Sequence, residues 1–312
     1  MASCELYLQN LLRCIEPTKT QKAGAVRSHN YLRDILNTGQ MANRIIATYL
    51  SGSYKRNTAV RPLDDVDIIV LIDPSYWRIS PFASFFLGIP PLSADKVLRS
   101  FADAIRYRYS DSPVFTQRRS VRLQLYHLDI DIVPAIQDEK RSDYLYIPDV
   151  SAQKWIPTSP KRHALNAISV NKSRGGKFKP LVKLLKQWNY NLPSTTRLKS
   201  FAIETMAVRV FQNQNFSTLQ EGLFLFFDFI AYVSDNKTHL KWNSGNGVSL
   251  RWLNCKIPDT AGTSSNISAG VDDNQRRKFI QCAIRSRDKM AESFNATTAE
   301  ISYNRTREAL RF

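Results

Sequence analysis

Two short stretches of the sequence place paired aspartates in apolar runs that are typical of buried β-strands. Asp65 and Asp67 open a β-branched run, and Asp129 and Asp131 lie in a second run that we expect to end at Pro134. Alternate residues of a strand share a face. Each pair of carboxylates is therefore predicted to point one way, while the apolar residues between them point into a core.

Like-charged carboxylates on adjacent strands repel each other unless a positive charge lies between them. Carboxylate oxygens are hard ligands that suit Mg²⁺, which also shares substrate phosphates. Two such ions, roughly 3.5 to 4 Å apart, can activate an attacking hydroxyl and stabilise a leaving pyrophosphate. A single Asp-x-Asp pattern is more often a pair that faces solvent. Two pairs on two buried strands favour a metal site.

A Gly-Ser pair precedes the first strand by about twelve residues. Gly52 would let the backbone approach a phosphate closely, and Ser53 would add a hydroxyl group. A Gly-Ser pair alone carries almost no information. Its spacing from Asp65 and Asp67 makes it a predicted phosphate-binding turn.

The remaining pattern predicts a mixed α/β first half and a mostly helical second half. Residues 20–50 have the spacing of one long helix or two, which includes Ile45, Ile46, Tyr49 and Leu50. Further helices are expected at residues 94–109, 178–190, 200–212, 219–233 and 275–293. A strand with alternating polar residues is expected at residues 119–126, before the second aspartate pair. We therefore divide the chain into residues 1–158, with an N-terminal helix, and residues 159–312.

Composition bears on the binding partners and on the location of the protein. The formal net charge is +17, which permits nucleotides, nucleic acid or anionic lipid and does not choose among them. No apolar run has the length of a membrane span, and no signal peptide is evident, so a cytoplasmic location is expected. Four cysteines without a Cys-x-x-Cys pair predict reduced thiols rather than zinc ligands. The aromatic stretch at residues 74–91 is predicted to pack.

Together these residues resemble the DNA polymerase β nucleotidyltransferase superfamily, with its Gly-Ser, Asp-x-Asp and third aspartate. Within that superfamily, residues 52–67 closely resemble the bacterial cyclic-oligonucleotide synthases (CD-NTases), relatives of oligoadenylate synthetase and cyclic GMP–AMP synthase. The similarity continues through Asp-Ile-Val-Pro-Ala, Tyr-Ile-Pro-Asp, Trp-Ile-Pro-Thr-Ser-Pro and Ser-Phe-Ala-Ile-Glu, which begin at residues 131, 146, 155 and 200. It covers roughly residues 25–290 in the expected order.

The resemblance implies an α/β (α+β) fold: a polymerase-β-like core on a mixed sheet, packed against a C-terminal, oligoadenylate-synthetase-like helical domain. It implies that Gly52 and Ser53 bind the triphosphate, and that Asp65 and Asp67 hold both metal ions. Asp131 would hold the catalytic ion and help to deprotonate the attacking hydroxyl. Asp131 is preferred to Asp129 because the family's aspartate immediately precedes Ile-Val-Pro.

Three further residues are candidate nucleotide contacts. The family places triphosphate contacts at the positions of Lys186 and Ser200. Lys186 could instead belong to a solvated basic helix face, and Ser200 could be a helix N-cap. Asn166 can offer a donor and an acceptor to a base edge, although a buried or capping role fits equally well.

The expected function is the Mg²⁺-dependent joining of NTPs, ATP among them, into a cyclic di- or oligonucleotide, with release of pyrophosphate. Such second messengers act in antiviral (CBASS) defence through a separate effector protein. Two ions are expected, with Mn²⁺ as the alternative metal. RNA or another anion could activate the enzyme through the basic surface, and no membrane partner is expected. The alternatives are an RNA-end nucleotidyltransferase or linear oligoadenylate synthetase, and a nucleic-acid sensor with an inactive core.

Overall fold

A computed structural model describes residues 2–77, 92–235 and 257–310. Of the aromatic stretch, Trp77 is described and packs on Phe101, whereas Phe82, Phe85 and Phe86 lie outside the described residues. The chain divides into two compact units. We call Pro17–Ala164 the sheet unit, and Met1–Glu16 together with Leu165–Phe312 the helical unit.

The sheet unit is built on a mixed sheet of seven strands among its described residues. The strands are β1 (Ile45–Ser51), β2 (Asp65–Ile72), β3 (Val114–Thr116), β4 (Val121–Leu125), β5 (Leu128–Gln137), β6 (Leu145–Asp149) and β7 (Lys154–Thr158). The order is β1-β2-β5-β4-β3, and β6 pairs with the far end of β5 and with β7. Only β2 and β5 run parallel; the other described pairs are antiparallel.

Three helices belong to the sheet unit: α2 (Lys19–Thr38), the short α3 (Gly52–Arg56) and α4 (Ala94–Arg108). A capping box at Thr18 and Gln21 begins α2. Apolar residues of α2 and α4 share one core with the even-numbered residues of β2 and β5, including Leu32, Phe101, Ile68 and Ile132, all fully buried. The aspartates occupy odd-numbered positions, so they lie on the opposite sheet face from this core.

Two sequence-based predictions in this unit were wrong. The residues from Ile45 to Leu50 form β1 rather than helix, because β1 pairs antiparallel with β2 and Tyr49 lies opposite Ile69. The second aspartate strand continues through Pro134. Pro134 lies opposite Val70 of β2, but the amide of Asp129 bonds towards the β2 side, so the even-numbered residues of β5 direct their N–H groups to the other edge. On that edge Pro134 lies between the last residue paired with β4 and the first paired with β6, so its missing N–H costs no strand a hydrogen bond.

The helical unit contains seven described helices. They are α1 (Ala2–Ile15), α5 (Pro160–Ser173), which begins in the sheet unit, α6 (Phe178–Asn191), α7 (Ser200–Phe211), α8 (Leu219–Asp235), α9 (Asp273–Phe294) and α10 (Ala299–Leu310). The predicted helices near residues 178, 200, 219 and 275 are thus confirmed. Among the residues that the structure describes, none of the helices is long and apolar enough to cross a membrane.

The first helix packs in the helical unit rather than with the sheet, where the sequence-based division had placed it. Cys4 Sγ lies 3.0 Å from Thr306 Oγ1 of α10, and the rings of Tyr7 and Tyr303 meet edge to face at 4.8 Å. A run of apolar residues does not reveal which of two cores it joins, so the sequence could not make this assignment.

Candidate active site

The parallel pairing of β2 with β5 brings the two aspartate pairs together. Asp65 lies opposite Asp129, and Asp67 lies opposite Asp131. Since neighbouring residues in register share a sheet face, the four carboxylates gather at one place on the face opposite α2 and α4. The convergence that the sequence predicted is therefore present in the structure.

Gly52 lies against the centre of this group. β1 ends with Ser51 opposite Asp67, and α3 begins at the next residue with a positive φ of 67°. A Cβ atom at position 52 would lie 1.7 Å from Asp67 Oδ2. Glycine is therefore required here for two reasons: the backbone has a positive φ, and the carboxylate of Asp67 occupies the space that a side chain would need. Ser53 follows in the first turn of α3.

Asp67 has an unusual charge state. Burial and the neighbouring carboxylates of Asp65 and Asp131 raise its pKa to about 7, against the opposing influence of Arg56 and Arg122. The shift comes first from burial, which withdraws water from the ionised carboxylate, and then from repulsion by the two neighbouring carboxylates, which the two arginines do not fully offset. A cation at this site would relieve the repulsion.

Arg122 is a member of the site that the sequence analysis missed. It lies opposite Asp131 on β4, and its Nε and Nη2 atoms donate to the two carboxylate oxygens of Asp131 at 2.9 and 2.8 Å. Its Nη1 lies 3.3 Å from Asp129 Oδ2. The alternating pattern of residues 119–126 was the available signal, because it places Arg122 on the aspartate face once β4 is paired with β5.

Arg56, at the end of α3, is the second missed residue. Its side chain is mostly buried, and its charge lowers the pKa of Asp67. No pattern in the sequence distinguishes it from the many other arginines of the chain. Only the position of α3 beside β2 shows its electrostatic role.

The donor set fits a hard divalent cation, since every candidate ligand is a carboxylate oxygen. Within residues 2–77, 92–235 and 257–310, however, no three His, Cys, Asp or Glu side chains are arranged as a ready-made metal site. Both oxygens of Asp131 instead accept hydrogen bonds from Arg122. A cation shared with Asp65 and Asp67 would compete with that guanidinium.

Lys186 lies in the helical unit and is buried. Its Nζ donates to Glu204 Oε2 at 2.9 Å, and both side chains are only 3% exposed. Lys183 on the same helix is likewise buried and pairs with Glu16. The alternative of a solvated basic face is therefore wrong for these two lysines. The triphosphate contact at Lys186 stays a prediction.

Ser200 and Asn166 also belong to the helical unit. Ser200 is the exposed first residue of α7, whose N-cap is Lys199 without a side-chain hydrogen bond, so the N-cap alternative for Ser200 is wrong. Asn166 is half-buried, and its Nδ2 donates to the carbonyl of Thr260 at 3.0 Å. The predicted nucleotide contacts of both residues stay predictions.

Comparison with known proteins connects this site to a family. The profile of the Second Messenger Oligonucleotide or Dinucleotide Synthetase (SMODS) domain matches residues 2–171, which include all four aspartates. A curated cyclic AMP-AMP-AMP synthase of Acinetobacter sp. is 37% identical over 210 residues, or 64% of this chain and 56% of that protein. The chain spans 56%, 60% and 64% of the lengths of three curated relatives.

Solved structures agree on the fold. E. coli MS115-1 CdnC, solved with ATP, superposes with a TM-score of 0.71 at 20% identity and covers 96% of this chain and 94% of its own. The CD-NTase CdnG of Bradyrhizobium diazoefficiens, solved with GTP, gives 0.70 at 14% identity, covering 97% and 96%. The predicted polymerase-β-like α/β fold is thereby confirmed. The chain belongs to the SMODS domain family, and its resemblance to the CD-NTases is confirmed.

Proposed function

We propose that this protein joins nucleoside triphosphates into a cyclic di- or oligonucleotide and releases pyrophosphate at each step. The observation that carries the proposal is the register of β2 and β5, which sets Asp65 and Asp67 beside Asp129 and Asp131, with Gly52 against Asp67. Family membership supports it, as do the names of relatives that synthesise cyclic AMP-AMP-AMP and cyclic UMP-AMP.

Asp65, Asp67 and Asp131 would hold two Mg²⁺ ions, with Mn²⁺ as the alternative. When bound, the ions would lower the pKa of an attacking hydroxyl and offset negative charge on the phosphates. The raised pKa of Asp67 supports this assignment, because a bound cation would stabilise the ionised form of this buried carboxyl group. Asp129 would remain the partner of Arg122.

The protein's own residues would supply positioning and proton transfer. The ribose hydroxyl of one nucleotide attacks the α-phosphorus of another, a new O–P bond forms, and the bond to pyrophosphate breaks. A carboxylate oxygen of Asp131 accepts the hydroxyl proton. The space beside Gly52 belongs to the carboxylate of Asp67, so Gly52 would bind the triphosphate through its backbone at the start of α3, and Ser53 would add its hydroxyl group.

The helical unit is proposed to supply further nucleotide contacts. Lys186 and Ser200 are assigned to the triphosphate, and Asn166 to a base edge. A nucleotide contact by Lys186 would share the ammonium with Glu204, to which it now donates. The KM for ATP of single variants at these three positions tests each assignment separately.

The test is direct. The purified protein, Mg²⁺ and a mixture of the four NTPs should yield a phosphodiester-linked product, which mass spectrometry identifies. The double variant Asp65→Asn/Asp67→Asn should form none while it keeps the wild-type circular dichroism spectrum. Asp103→Asn, an exposed aspartate on α4, is the matched control and should retain activity. Product formation by the double variant would refute the site.

The same incubation separates the alternatives. Product formed without any RNA excludes obligatory addition to an RNA end, and a cyclic rather than linear product excludes a linear oligoadenylate synthetase. A sensor with an inactive core would form no product. If added RNA accelerates synthesis, and the effect fades with salt, the basic surface is an activator site. We propose that the product acts in antiviral (CBASS) defence through a separate effector.

A further inference from the structure

Arg122 stands out because it brings a positive charge into direct contact with two of the four carboxylates gathered at this site. Its Nε and Nη2 engage both oxygens of Asp131 at 2.9 and 2.8 Å, and Nη1 approaches Asp129 at 3.3 Å. This fork geometry is the strongest arrangement available to an arginine and a carboxylate. One side chain therefore serves as counter-ion to two of the four aspartates.

The contact is built into the sheet rather than made by a mobile surface chain. β4 and β5 form a hairpin, and Arg122 and Asp131 are directly opposed residues of that hairpin. The side chain of Arg122 is 30% exposed and that of Asp131 only 12% exposed. A pair held by strand register and partly withdrawn from water persists more firmly than an exposed pair.

The pair has two opposing consequences for a divalent cation. The positive charge of Arg122 repels the cation, and the fork occupies the carboxylate that the cation would share with Asp65 and Asp67. The same fork also fixes the orientation of Asp131, as a partner outside the ligand set commonly does for a metal ligand. Removal of Arg122 therefore has different effects on metal affinity and on turnover.

We propose that Arg122 is a positioning residue that competes with the divalent cation for Asp131, so that the nucleotide-free enzyme binds metal weakly while Asp131 stays aligned. This inference rests on the proposed function, which makes Asp131 a metal ligand. Because the nucleotide-free enzyme binds metal weakly, the metal would bind tightly only when the triphosphate adds its negative charge to the site.

The experiment measures Mn²⁺ binding to the full chain without nucleotide, from the electron paramagnetic resonance signal of unbound Mn²⁺. Arg122→Gln should bind Mn²⁺ about tenfold or more tightly than the wild type, because one positive charge is lost. Arg122→Lys keeps the charge but loses the fork, and should bind Mn²⁺ with an affinity between those of the wild type and Arg122→Gln. Arg99→Gln removes an exposed charge from α4 and should change nothing.

Turnover gives the second readout. Arg122→Gln and Arg122→Lys should both lower kcat by about 10- to 100-fold with little change in the KM for ATP, because each loses the fork that aligns Asp131. Arg122→Gln should therefore bind metal more tightly and turn over more slowly. A general loss of protein stability would not produce both effects. If Arg122→Gln does not fold, Arg122→Met can replace it, because methionine also lacks the charge and keeps the apolar part of the side chain.

Unchanged or weaker Mn²⁺ binding by a folded, neutral variant would overturn the inference, as would equal tightening in Arg122→Lys. These outcomes differ from failure of the proposed function. In that case the wild-type protein itself would form no phosphodiester product, whatever its affinity for Mn²⁺.

Discussion

Gly52 and Asp67 meet so closely that any side chain at position 52 would occupy the place of the carboxylate. A Cβ there would lie 1.7 Å from Oδ2 and 2.7 Å from Cγ of Asp67. The Gly-Ser turn and the Asp-x-Asp strand are thus one interlocked element, because the end of β1 determines where the Asp67 side chain can lie.

Gly52→Ala should lower product formation by about 100-fold or more, because the added methyl group must displace Asp67, and a displacement of about 1 Å at a reacting group has an effect of that size. Initial rates with saturating NTPs measure this loss. Gly175→Ala is the matched control: φ is also positive, at 57°, but within the described part of the chain no atom beyond Gly175 and its two neighbours would lie within 4 Å of an added Cβ.

The control should lose about 1 kcal/mol of stability from the positive φ alone and keep its activity. Equal activity losses in the two alanine variants would show that the close approach to Asp67 is unimportant.

The titration of Asp67 predicts a pH-dependent stability in metal-free protein. Its pKa in the folded chain is about 7, against an ordinary value of 3.8. Folding therefore takes up a proton between about pH 4 and pH 7, and the free energy of unfolding falls as the pH rises through this window. Relative to Asp67→Asn, the wild type should lose on the order of 2 kcal/mol between pH 5 and pH 8.

Urea unfolding in EDTA at the two pH values measures this difference. Added Mg²⁺ should reduce it, since a bound cation favours the ionised carboxyl. Identical pH dependence in the wild type and Asp67→Asn would contradict the raised pKa.

The buried pair of Lys186 and Glu204 predicts a strong asymmetry between single and double variants. Glu204→Ala should lower the free energy of unfolding by about 3 to 5 kcal/mol, because it removes the carboxylate that pairs with a buried ammonium. Lys186→Met/Glu204→Leu should recover most of that loss. Urea unfolding measures both.

The double variant also tests the triphosphate prediction, because it removes the lysine from a chain that still folds. A raised KM for ATP supports a nucleotide contact at Lys186. An unchanged KM, with the exposed Lys172→Met as reference, would leave Lys186 with a purely structural role.

Replacement of Asp149 by alanine should destabilise the protein less than replacement of Glu204, although the two side chains are equally buried. Its carboxylate accepts hydrogen bonds from Arg118 and Arg119 at 2.7 to 3.0 Å and from the amide of Ala152 at 3.1 Å. Both arginines are more than 40% exposed, so they turn to water when Asp149 is removed. Asp149→Ala should cost about 1 to 3 kcal/mol in urea unfolding. A loss as large as that of Glu204→Ala would contradict this account.

The elements that the sequence predicted well are those whose apolar spacing admits one structure. β2 and the later helices have such spacing. β1 does not, because Ile45, Ile46, Tyr49 and Leu50 satisfy a helical period and only pairing with β2 makes them a strand.

At the site, the aspartates were predictable from the two-residue period of strands together with the preceding Gly-Ser turn. Arg122 was visible in the alternating pattern of residues 119–126 but had no partner until the turn at Tyr126 and His127 set the register of β4 against β5. The residue pattern alone fits either a turn at these two residues or a strand that runs straight through them, so the charge of Arg122 could not be assigned to Asp131 from the sequence.

The helical unit joins the first helix to the last described one, and this has a consequence for biosynthesis. On the ribosome, the residues of α1 emerge before the sheet unit is made, whereas Thr306 and Tyr303, which Cys4 and Tyr7 contact, are translated some 300 residues after them. Pro17–Ala164 is available to fold as a unit while α1 still lacks its partners. Nascent chains stalled before residue 165 lack the partners of α1 in the helical unit and should leave the Cys4 thiol open to alkylation, and release of the full chain should protect it.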